Sequence, residues 1–82
     1  MEYDDAKIED AVLALLALYS FDGGRSWKGF DFEVMSRLNE QGYISDPIGK
    51  AKSVHLTEEG LKRGFEVAMQ LFGNSSRSAW EH

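Results

Sequence analysis

Eighty-two residues leave room for one small domain, and 43% hydrophobic with 28% charged residues, a single proline and no cysteine exclude the low-complexity, disulfide-stapled and thiolate-metal classes. A formal net charge of −5 argues against nonspecific attraction to phosphates or anionic lipid as the main purpose. The longest apolar run, Ala11 to Tyr19, is far below the roughly 20 residues that span a bilayer, and the acidic N-terminus lacks a signal peptide's basic start, so the expectation is a cytoplasmic chain with no membrane association.

Asp4 and Asp5 suit the start of a first helix, where a carboxylate caps free N–H groups and complements the positive end of the dipole. From about Asp5 to Ser20, Ile8, Val12, Leu15, Leu16 and Tyr19 recur on one face, widened by Ala11 and Leu18, while Leu13 lies almost opposite, flanked by Ala6 and Ala17. The helix is therefore expected to meet neighbours on two sides. Asp22-Gly23-Gly24 ends it, and Arg25-Ser26-Trp27-Lys28-Gly29 reads as a connection too short and glycine-rich for a helix. Asp31 caps a second helix of about ten residues with Phe32, Met35 and Leu38 on one face, stopped by Gly42. Tyr43-Ile44, the turn formers around Pro47, and Lys52 to Leu56 predict a short antiparallel hairpin. Thr57 caps the third helix, with Glu58 and Glu59 in its first turn and Leu61, Phe65, Ala68, Met69 and Phe72 at helical spacing, closed by Gly73-Asn74. The fold class is mainly α with a short β-hairpin, in the order helix, helix, hairpin, helix. One compact domain spans residues 1–73, and residues 74–82 form a polar tail.

The stretch Leu38-Asn39-Glu40-Gln41-Gly42-Tyr43-Ile44, the hairpin, and Leu56-Thr57-Glu58-Glu59-Gly60-Leu61 resemble the wing region of winged-helix regulators. That resemblance implies a recognition helix, a basic wing and a dimerising last helix over about residues 30 to 72. The chain departs from it where the ten residues Phe21 to Phe30 stand in place of a further helix. Trp27-Lys28-Gly29-Phe30-Asp31, Gly42 to Pro47 with Gly49 to Ser53, and Leu56 to Gly60 are also similar to a family of small uncharacterised bacterial proteins, a domain of unknown function. This second resemblance spans most of the domain and brings no catalytic residue with it.

Reactive chemistry is thinly represented. His55 sits on a predicted strand and His82 at the terminus, without metal-ligand spacing, so no metal site is expected. Ser53, His55 and Asp46 make a triad only on paper, because strand neighbours two apart merely share a face. Gly49-Lys50 lacks the spacing and hydroxyl of a phosphate-binding loop. No nucleophile comes with a base and an orienting group, so the chain reads as a non-enzyme without a cofactor. Trp27, Phe30 and Phe32 read as rings capping the end of the core, ahead of a docking site for a peptide or base.

Residues 1–24 hold six acids and one base, a net −5, while residues 25–82 are balanced. This leaves room for a local basic face of Arg25, Lys28, Lys50 and Lys52, with Arg37 nearby, as a nucleic-acid contact. Against DNA binding, the second helix opens with Asp31 and Glu33 and carries Glu40, which would face phosphates. The first-ranked reading is a winged-helix-like protein-interaction module, a homodimer formed through the first and third helices, with Leu13, Ala17, Val67, Leu71 and Trp80 as the candidate interface. A further, unidentified protein partner is the companion expectation. DNA-binding regulation through the wing and second helix ranks second.

Overall fold

In a computed structural model that describes residues 2–27, 29–49 and 52–73, each helix starts on the cap the sequence supplies. The Asp4 carboxylate accepts from the N–H groups of Ala6 at 3.0 Å and Lys7 at 3.3 Å, opening α1 (Asp5–Leu18). Asp31 does the same for α2 (Phe32–Glu40), accepting from Glu33 and Val34. The Thr57 hydroxyl accepts from Gly60 N–H at 3.0 Å and donates to the Gly42 carbonyl at 2.7 Å, so it both opens α3 (Glu58–Phe72) and ties it to the end of α2.

The connection between α1 and α2 carries a strand, β1 (Arg25–Trp27). Asp22, Gly23 and Gly24 have φ of 50°, 77° and 128°, a left-handed run that reverses the chain so that Phe21 and Arg25 exchange two backbone hydrogen bonds of 2.7 Å. β1 pairs antiparallel with β2 (Ser53–His55), with Arg25 opposite His55, Ser26 opposite Val54 and Trp27 opposite Ser53. On the other side, Ile44 bridges Leu56 and Ser45 N–H donates to the His55 carbonyl at 2.8 Å, which closes the expected hairpin. The β2 segment is thus flanked on both sides, and the fold is mainly α with a short antiparallel β element, its three helices in the expected order.

Val12, Leu13, Leu16, Val34, Met35, Leu38, Ile44, Val54 and Leu56 form the main core among α1, α2 and the sheet, and Ala14, Val67 and Ala68 a second cluster between α1 and α3. The two-sided apolar character of α1 is therefore consumed inside the chain. Leu13 is 0% exposed, and Ala17 and Val67 are buried too, so these three candidate interface residues are core and offer no free surface. The reason lies in α3: a Cβ on Gly64 would stand 2.7 Å from the Ala17 Cβ and 2.9 Å from the Leu13 carbonyl oxygen, and one on Gly60 would overlap the Tyr43 carbonyl. With Ala68, these glycines form a small-residue edge at four-residue spacing; Gly64 lets α1 and α3 approach closely, and Gly60 lets α3 approach the backbone at Tyr43.

Candidate interaction surfaces

Two of the three ion pairs among the described residues join helices. Glu9, 7% exposed on α1, receives hydrogen bonds from Arg37 Nε on α2 and, at 3.0 Å, from Gln41 Nε2. This partnership holds the guanidinium above its ordinary pKa, against a smaller opposing effect of desolvation. Arg63 of α3 meets Asp10 of α1 at 3.1 Å. Arg25 lies 3.8 Å from Asp22, with both side chains largely exposed, a geometry worth little in water.

The proposed basic face is accordingly broken up. Arg37 is turned to Glu9 and serves the α1–α2 joint, with its side chain 39% exposed. Arg25 and Lys52 are exposed, whereas Lys28 and Lys50 lie outside the described residues. Of the paper triad's residues, Asp46 has its carboxylate accepting from the Ile48 N–H at 2.9 Å, and His55 has its backbone N–H donating to the Ser45 hydroxyl at 2.9 Å. Among the described residues no group of three or more His, Cys, Asp or Glu side chains is placed to hold a metal ion, and no helix is long and apolar enough to cross a membrane.

Apolar surface collects at two places instead. Phe65, Met69 and Phe72, which the helical spacing puts on the apolar stripe of α3, are about half exposed or more, with Met69 at 65%. With Leu18, Ala68 and Gly73 they line an open groove of about 360 Å³. Leu71, also exposed, projects from another side of the same turn, so the end of α3 is apolar most of the way round. Trp80 lies outside the described residues. The second place is the sheet and the start of α2. Trp27 is 62% exposed and Phe30 and Phe32 are also open, which corrects the reading of these rings as a cap on the core. Phe30, Phe32, Met35, Pro47, Ile48 and Gly49 line a groove of about 440 Å³ there.

Residues 4–74 match the model of a family described as "Domain of unknown function (DUF6429)". The chain belongs to this family. It is 51% identical over 72 residues to "Uncharacterized protein y4hR" of Sinorhizobium fredii, a match that covers 88% of this chain and 97% of that protein. No solved structure matches. The family match begins at the cap of α1 and ends just beyond α3, so the three helices and the sheet are the family's shared unit.

Proposed function

We propose that this chain is a non-enzymatic interaction module that pairs with a second copy of itself through the exposed end of α3 and the adjoining end of α1. The observation that carries the reading is the groove of Leu18, Phe65, Met69 and Phe72, continued by Leu71 around the last turn. A helix end that is apolar on several sides belongs inside a structure. The spacing of four and then three residues from Phe65 through Met69 to Phe72 is that of a coiled-coil seam, which a two-fold axis matches to its own copy. The family unit ends at residue 74 and its relative is matched over 97% of its length. The seam lies within the unit that the family shares, and a second copy supplies the same seam to meet it.

Light scattering across micromolar concentrations tests the reading. The expected result is a dimer that becomes monomeric in the Phe65→Asp, Phe72→Asp double variant, with helical circular dichroism retained. A wild-type chain that stays monomeric at the highest concentrations, or a double variant that stays dimeric, overturns it.

A further inference from the structure

Ser26 and Val54 face inward from the sheet, at 3% and 1% exposure, so their neighbours on each strand face outward by the alternation of β-structure. This places Arg25 directly opposite His55 and Trp27 directly opposite Ser53 on the outer face, with exposed Lys52 next in the chain. The Trp27 ring is set against Phe21, with ring centroids 5.6 Å apart and planes inclined at 44°, which fixes its orientation while most of it stays open to solvent. Arg25 and Lys52 are the exposed cations of the two strands and their flanks among the described residues, and Asp22, in the turn before β1, lies 3.8 Å from Arg25.

We propose that this outer sheet face binds single-stranded nucleic acid, with a base stacked on Trp27 and the backbone phosphates met by Arg25 and Lys52. An exposed aromatic ring two residues from a cation on the same strand face offers a base a surface to stack on, and stacking needs an unpaired base. His55 and Ser53 add hydrogen-bonding groups within reach of sugar and phosphate. A duplex fits this face poorly, because it hides its base faces and the helix that follows β1 in the chain opens with Asp31 and Glu33. An anionic membrane also fits less well, because polar Ser53, His55 and Arg25 surround the indole where a lipid-docking tip needs continuous apolar surface.

Fluorescence anisotropy of a short labelled oligothymidylate tests the proposal on the full chain. Binding is expected at low salt, weakening as salt rises. Trp27→Ala and Trp27→Leu are each expected to weaken it roughly ten-fold and Trp27→Phe much less, since a phenyl ring still stacks. Lys52→Glu is expected to weaken it and flatten its salt dependence. The exposure of Trp27 leaves the fold intact in these variants, which circular dichroism confirms. Absence of binding at low salt, a folded Trp27→Leu chain that binds like wild type, or tighter binding of the matching duplex overturns the proposal. So does capture of the chain by phosphatidylserine vesicles without any response to the oligonucleotide. Retention of binding in the Phe65→Asp, Phe72→Asp chain would separate this face from the self-association surface.

Discussion

Glu9 is a carboxylate inside a small core, tolerated because Arg37 and Gln41 both donate to it. Removing one partner of such a group costs more than the pair ever contributes, since the remaining charge stays buried. Arg37→Met is therefore expected to lower the melting temperature clearly more than Arg25→Met, whose partner Asp22 faces water. Thermal melts of the two variants side by side provide the check. Because the Arg37 pKa is raised, its stabilising charge is complete below its ordinary value and is lost only as pH rises through the raised one. Arg37 itself adds no pH dependence near neutrality. This contact was not legible in the sequence: Glu9 and Arg37 are 28 positions apart, and the helical wheel alone puts Arg37 on a solvent face. The glycines of α3 act at the same scale. Gly→Ala within a helix ordinarily stabilises by roughly 0.5–1 kcal/mol, but at Gly60 the new methyl meets the Tyr43 carbonyl and at Gly64 the Ala17 methyl. Each substitution is expected to destabilise by about 1–3 kcal/mol as overpacking, measured by urea unfolding, and Gly60→Ala more than Gly64→Ala because its obstacle is backbone.

Each helix of this chain was readable from its caps, since Asp4, Asp31 and Thr57 all bond the N–H groups their positions imply. Faces were harder to read than ends. A hydrophobic stripe announces large side chains, and Phe65, Met69 and Phe72 mark the apolar stripe of α3, whereas its inner edge consists of Gly60, Gly64, Val67 and Ala68. Glycine scores near zero on any hydropathy scale and is silent in such a pattern. The only signal was the four-residue spacing of small residues. β1 was missed for another reason: three residues hold too little alternation to register, and its partner β2 lies beyond α2 in the chain. The two sides of α1 give the corresponding test. Leu13→Ala is expected to cost about 2–5 kcal/mol, the usual loss for a fully enclosed leucine. Leu18→Ala, at the rim of the α3 groove, is expected to change the unfolding of dilute protein by under about 0.5 kcal/mol while weakening self-association.

At the scale of the whole molecule, a chain of 82 residues buries only about 60–65% of its unfolded surface on its own, so association and stability are linked. The melting temperature is expected to rise by several degrees over a roughly hundred-fold increase in concentration, and to lose that dependence in the Phe65→Asp, Phe72→Asp chain; calorimetry at two concentrations measures both. The charge map holds at this scale as well. The acidic excess belongs to residues 1–24, whose Glu9 and Asp10 bind Arg37 and Arg63 of the other two helices, so part of it serves as internal adhesive. The joint of α1 and α3 at Gly64 has a further consequence. Where two helices touch almost backbone to backbone, cohesion comes from many short dispersion contacts and from Cα–H groups near carbonyls, and bulky side chains are not needed there. Four phenylalanines, a tryptophan and a methionine stand outside the interior, and a protein this small can devote them to what lies outside it.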